Sequence, residues 1–496
     1  MRDFSVGPIR FEVEHRNPGA AGGPTLRVRD SDGHERLRFD FFASGGHWHL
    51  DPGGRDQITP FEDGFDSLSW ALAELRRDLA GLLARAGLAN AAPSPIETRP
   101  VLDDVERALR NPPAELDAVR PAARRPSRGE KWTTYPDDVL PLWVADMDFP
   151  IAEPIRRVLR FAVERSDLGY PIHPAPTAIP ELTAERMQRL YGWSFAPERV
   201  EILSDVVQGM FTAVYQFSAP GDGVVVQTPI YPPFVGAVAK QGRRLDENPL
   251  ALGPHGYEFD LERLRRDTDE RTRVLLLCNP HNPTGRAFRR DELEALAAIA
   301  LERNWWVVAD EIHQDLVHPG HRYVPFASLS PAIEARTITL TAASKAFNIA
   351  GLRCGVAIFG SDEAKRRFCA LPRHIRGGIG MLGIEALEAA WRYSEPWLDE
   401  VRAYLAENRA YLIDFVRDEF PGVVLHPPEA TYLAWLDFRA LDLRPSPFAF
   451  FLENAKVALS DGATFGAPGR GFARINFATS RAILSDALER MAKSLR

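Results

Sequence analysis

Apolar residues recur along this chain in two rhythms, and the change between them marks its organisation. Near the N-terminus "PIRFEVEH" and "TLRVRD" alternate apolar and polar side chains, the period of a half-buried strand. "NPGAAGGP" between them supplies turn chemistry, so the pair predicts a β-hairpin, with "ERLRFDFFASG" as a third strand. Phe65, Leu68, Leu72, Leu75, Leu79 and Leu82 then return at steps of three and four, one apolar stripe on a helix that would cover this small sheet. From Ala89 to Gly129 the rhythm dissolves into Pro, Ala and Arg, which reads as a linker with one short helix around Asp104 to Arg110. Beyond it "VEIL", "GVVVQTP", "RVLLLCNP", "WWVVADE", "TITLTAAS" and "CGVAIFG" are short, nearly continuous apolar runs, most of them separated by helical segments such as "RDELEALAAIALERN". That alternation predicts an α/β fold with a mostly parallel central sheet covered on both faces. After the helical "PWLDEVRAYLAENRAYLIDFVRDEF" the chain reads as a smaller α+β unit. The predicted division is a small N-terminal α+β domain (1–88), a linker (89–129), a large domain (130–390) and a small C-terminal domain (391–496).

Composition narrows the function by exclusion. The 496 residues carry 60 basic against 68 acidic side chains, a net charge of −8, so no broad attraction to nucleic acid or an anionic membrane is expected. The one basic stretch, "RPAARRPSR", lies among prolines and reads as solvated linker. The start "MRDFSVGPIRFEVEH" lacks an apolar signal region, and no apolar run approaches a membrane span. Cys278, Cys354 and Cys369 show neither paired nor metal-type spacing, which points to free thiols in a reducing cytoplasm and no structural zinc. In "GGHWHLDPGG", His47, His49 and Asp51 alternate and would share one face of a strand. A metal could use that face, but without a fourth ligand the plainer reading is a strand end and turn, and no metal is expected.

Candidate chemistry gathers at strand ends, where ligands bind in open α/β sheets. "LLLCNPHNPTG" ends in Asn279 and Asn282, "WWVVADEIH" in Asp310, Glu311 and His313, "TITLTAASK" in Ser344 and Lys345, and "GVVVQTPIY" leads to Tyr231. Each fragment alone is weak; together, in this order and spacing, they suit one cofactor.

These residues, with "VLPLWVADMDFP", "LGY", "ASKAFNIAGLRCG", "ATYLAWLDF" and "GFARINFATSR", resemble the fold-type I pyridoxal-phosphate enzymes of the aspartate aminotransferase superfamily from about Lys131 onward. Within that superfamily "WVADMDFP" is most similar to the MalY/PatB-type, cystathionine β-lyase-like C–S lyases. The resemblance implies pyridoxal 5′-phosphate as cofactor and Lys345 as the residue that bonds it, which requires a neutral amine. A dry pocket beside a cation lowers a lysine pKa, so the apolar setting of Lys345 becomes useful. Asp310 would face the pyridine nitrogen, Asn282 the ring's phenolic oxygen with His313 in support, and Tyr231 would stack on the ring. Ser344, Arg353 and the backbone around Val206, Val207 and Gln208 would hold the phosphate. Arg474 would grip the substrate α-carboxylate with its planar fork, with Asn279 also on the substrate side. Tyr170 would reach a phosphate in a neighbouring subunit, which implies a homodimer with shared sites. Arg481 is expected to be structural, and Asp205, an acid beside a phosphate, to point away.

The expected activity is β-elimination from cysteine S-conjugates or cystathionine-like amino acids, giving thiol, pyruvate and ammonia. Arg353 matches an arginine common in aminotransferases, so an aminotransferase, or a decarboxylation-coupled oxidative deaminase, stands as the alternative. A regulator that merely retains the fold is disfavoured by the complete set of cofactor positions.

Overall fold

The strict alternation of "PIRFEVEH" and its neighbours builds an antiparallel meander: β1 (Arg2–Val6), β2 (Ile9–Arg16), β3 (Gly23–Arg29), β4 (Glu35–Asp40), β5 (His47–Leu50) and β6 (Gln57–Pro60), each strand pairing with the next. The coordinates come from a computed structural model and describe residues 2–16, 23–42, 46–62, 66–88, 93–111, 115–171, 177–253 and 256–496. They divide into two compact units, the first holding the described residues up to Asn111. Phe11, Val13, Leu26, Val28, Leu37 and Phe39 share one sheet face and form a core with Leu68, Leu72, Leu75, Leu79 and Leu82 of helix α1 (Ser67–Arg85). The leucine stripe therefore covers the sheet; Phe65 and residues 17–22 of the expected turn lie outside the described residues.

The linker expectation needs correction. Pro95–Arg110 is a helix, α2, and Leu102, Val105, Ala108 and Leu109 enter the same core. Its start is a capping box, Ser94 and Glu97 bonding each other's backbone N–H, with Pro95 in the first turn where a missing N–H costs little.

The opposite sheet face is charged and self-paired across strands, Arg29 with Glu12 at 2.8 Å and Arg27 with Glu14 at 2.9 Å. His47 and His49 lie on this face, but their carboxylate neighbour is Asp40 of β4; Asp51 lies past the strand end at φ 53°. The Arg38 guanidinium binds Asp40 at 3.0 Å and lies 2.5 Å from His49 Nε2.

In the second unit, the apolar runs form a seven-stranded sheet in the order Arg244–Glu247, Gly223–Val226, Thr272–Cys278, Trp306–Asp310, Thr337–Thr341, Gly355–Phe359, Val200–Leu203. All are parallel except Gly355–Phe359, which runs against both neighbours. Buried side chains from both faces explain why these strands read as unbroken apolar runs. Helices flank the sheet, among them Val206–Phe217 on one side and Arg290–Glu302 on the other. The long Glu395–Glu419 helix leads to a four-stranded sheet, ordered Val424–Leu425, Leu433–Asp437, Phe472–Asn476, Ser460–Asp461, and to the closing helix Arg481–Ser494.

Candidate active site

Parallel strands deliver their carboxyl ends to one edge, and there a cavity of about 920 Å³ opens. Tyr231, Asn282, Asp310, His313, Ser344, Lys345, Arg353, Val206, Val207 and Arg474 all border it, so the structure brings together ten of the expected site residues.

Lys345 follows the Thr337–Thr341 strand. Its ammonium donates to Ala145 O at 2.8 Å and stands 3.8 Å from Asp146. Burial lowers its pKa and the Arg474 charge adds to that effect, while Asp146 and Asp310 pull upward. Asp310, the last residue of its strand, accepts the Ile312 N–H at 3.2 Å. Burial lifts its carboxyl to about 7, against that hydrogen bond and the lysine charge. His313 is buried, its Nδ1 has no hydrogen-bond partner among the described residues, and burial drives its pKa down to about 3. It is a neutral imidazole, set edge-on to Tyr432 with 6.1 Å between ring centres.

Arg474 lies on the Phe472–Asn476 strand and is buried, which drops its pKa to about 10. It donates to Asn282 Oδ1 at 2.8 Å, Trp143 O at 2.8 Å and Ser460 Oγ at 3.0 Å, while its Nε is buried with no partner among the described residues. Because Asn282 accepts through Oδ1, its amide N–H₂ is directed away from the arginine. Phe465 underlies the guanidinium, 5.0 Å from ring centre to Cζ.

At the far end, Asp205 caps the Val206–Phe217 helix, accepting the Gln208 N–H at 2.7 Å. The same carboxylate accepts from Arg353 at 2.5 Å. Asp205 therefore borders the cavity and does not point away; its charge is favourable at a helix start and is neutralised by the arginine.

Two expected residues lie elsewhere. Asn279 is fully buried and does not line the cavity: its Oδ1 accepts the Phe288 N–H at 3.1 Å and its Nδ2 donates to Val324 O at 3.4 Å. Tyr170 is fully exposed and also lies outside the cavity lining. Arg481 opens the last helix, bonding Asn408 Oδ1 at 2.9 Å over the ring of Tyr411. Sequence reasoning assigned no role to Asp146, Trp143, Tyr432 or Ser460. "WVADMDFP" and "ATYLAWLDF" already held the first three, and Tyr432 Oη shares Ala145 O with Lys345 at 2.7 Å.

The donor set fits pyridoxal phosphate. A buried carboxylate suits a protonated ring nitrogen, a buried amine suits an aldehyde, and a helix start with an arginine suits a phosphate.

Known proteins agree with this arrangement. Residues 138–491 match the aminotransferase class I and II family, and residues 3–109 match a domain of unknown function (DUF7700). Over 361 residues the chain is 39% identical to cystathionine β-lyase PatB of Bacillus subtilis, covering 72% of this chain and 93% of that protein. A putative PLP-dependent β-cystathionase of Corynebacterium diphtheriae superposes with a TM-score of 0.73 at 36% identity, covering 77% of this chain and 99% of that one. The PLP-bound C–S lyase of Staphylococcus hominis gives a TM-score of 0.71 at 31% identity, covering 75% and 97%. With strand ends, cavity and relatives in accord, the chain belongs to the aminotransferase class I and II family, beside its cystathionine β-lyase-like members.

Proposed function

We propose that this protein is a pyridoxal-phosphate-dependent C–S β-lyase that converts a cysteine S-conjugate or cystathionine-like amino acid, with water, into thiol, pyruvate and ammonia. The observation that carries the reading is the convergence of a depressed lysine, a buried aspartate and a buried arginine on one cavity, in a chain 39% identical to a cystathionine β-lyase.

When bound, pyridoxal phosphate supplies a ring that accepts the electron pair left at the substrate Cα once its proton departs. Arg474 binds the substrate α-carboxylate through its unmatched Nε and so fixes the Cα–H bond relative to Lys345. The Lys345 amine, its pKa lowered by burial, takes the Cα proton. Asp310 would hold a proton at the ring nitrogen. Asn282 would donate to the phenolic oxygen, with the neutral His313 in support. Tyr231 would stack on the ring, and Ser344, Arg353 and the backbone at Val206 and Val207 would hold the phosphate. With the proton removed, the Cβ–S bond breaks and sulfur leaves as thiolate.

In this reading the protein acts as a homodimer. Tyr170, fully exposed on its own subunit, reaches the phosphate of the neighbour. No described helix is long and apolar enough to cross a membrane, and the three free cysteines suit a reducing cytoplasm.

Enzyme mixed with an S-alkyl cysteine and no keto-acid acceptor tests the assignment. Continuous release of pyruvate and thiol is expected. A single turnover that halts with aminated cofactor would show an aminotransferase.

A further inference from the structure

The cofactor cradle contains an acid whose position has a consequence of its own. Asp205 Oδ1 accepts the Gln208 N–H at 2.7 Å and Oδ2 accepts from Arg353 at 2.5 Å. A helix-start N–H and a guanidinium bordering the cavity are also the donors that a phosphate monoester would use. One carboxylate already sits on both, and its charge cancels that of the arginine. As built, this end of the cavity therefore offers a dianion no net positive side chain from the pair.

Resting on the cofactor reading above, we infer that Asp205 is an internal competitor for the cofactor phosphate, which enters by displacing this carboxylate from Gln208 N–H and Arg353. The pair is built to yield. The Arg353 side chain is 70% exposed and that of Asp205 25%, so water can solvate both groups as they part. Arg353 holds a left-handed backbone, φ 52°, with its N–H on Ala350 O at 3.3 Å. The movement thus belongs to side-chain torsions while the backbone keeps its place. An acid at this position lowers cofactor affinity relative to a neutral capping residue and makes uptake a matter of anion exchange.

Asp205→Asn tests the inference, because asparagine caps a helix as well as aspartate but carries no charge; Asp205→Ser is the second variant. Cofactor is stripped from wild type and variants, and pyridoxal phosphate is titrated with tryptophan fluorescence as readout. Inorganic phosphate is titrated separately, with melting temperature as readout. Both ligands are expected to bind the variants about tenfold more tightly, the effect of one charge-assisted hydrogen bond no longer contested. The unliganded melting temperature of Asp205→Asn should stay close to wild type, lowered by no more than one exposed ion pair and one helix-start charge confer. Affinities that are unchanged, or weaker in the variants, would overturn the inference, the second result making Asp205 an aid that orients Arg353. Should no form take up pyridoxal phosphate, the function proposed above fails, and the phosphate titration still decides the role of Asp205.

Discussion

Replacing Arg474 probes the chemistry of the cavity most directly. Its three hydrogen bonds, to Asn282, Trp143 and Ser460, fix the guanidinium plane over Phe465, and its Nε is left to meet a carboxylate. A charge-assisted hydrogen bond to a buried carboxylate is worth about 1.5–3 kcal/mol. Losing that bond and leaving the substrate carboxylate unpaired in a buried site removes roughly 3–4 kcal/mol, or about 10²- to 10³-fold in kcat/KM. Arg474→Ala should show that loss, and Arg474→Lys, which keeps the charge without the fork, about 10- to 100-fold. Pyruvate release from an S-alkyl cysteine over a range of concentrations gives kcat and KM separately. The methyl ester of the same substrate completes a cycle: lacking the carboxylate, it should lose little more in Arg474→Ala than it has already lost in wild type. The assignment fails if Arg474→Ala keeps kcat/KM within about tenfold of wild type, or if acid and ester suffer equally.

Three further outcomes are expected. Lys345→Ala should purify without the visible absorbance of lysine-bonded cofactor and lose roughly 10⁴-fold in turnover, measured by spectrum and pyruvate assay. Glu311, buried against the Phe326 N–H and Tyr323 hydroxyl, has its carboxyl lifted by burial to about 8. The folded state thus binds this proton more tightly than the unfolded chain. The stability it confers is full below pH 4.5 and falls as pH rises to about 8, by at most ~1.4 kcal/mol per pH unit. Glu311→Gln should flatten that slope in urea titrations from pH 5 to 8. Leu102→Ala, emptying a nearly solvent-free site in α2, should cost the first unit about 2–5 kcal/mol, read as faster proteolysis there.

Legibility in the sequence followed chain distance. Lys345, Asp310, Asn282 and Tyr231 sit within a few residues of strands that announce themselves, so each could be placed from its own neighbourhood. What eluded reading was partnership. Arg353 meets Asp205 across 148 positions, Lys345 meets Ala145 across 200 and Arg474 meets Trp143 across 331. Asn279 misled for a related reason: a polar residue at a strand end resembles a ligand until its amide is seen tying down Phe288 and Val324. Helix α2 was hidden by prolines at 95 and 100, although "SPIE", a serine followed three places on by a glutamate, was a usable start signal.

The single reversed strand, Gly355–Phe359, governs how the loop before it can vary. Thr337–Thr341 ends at the cavity edge, and a parallel successor would require a crossover of a dozen or more residues before the chain could begin again. Reversal starts the next strand at that same edge, so residues 342–354 form one arch with both feet on the sheet, Thr341 paired with Val356. Lys345 stands near one foot and Arg353 near the other. In the proposed function the arch would act as a gauge, its span setting the separation between the Lys345 amine and the Arg353 guanidinium. Insertions or deletions elsewhere on this rim can reshape the opening, but within 342–354 a change of one residue would shift Lys345 relative to Arg353, the two groups proposed to hold opposite ends of the cofactor.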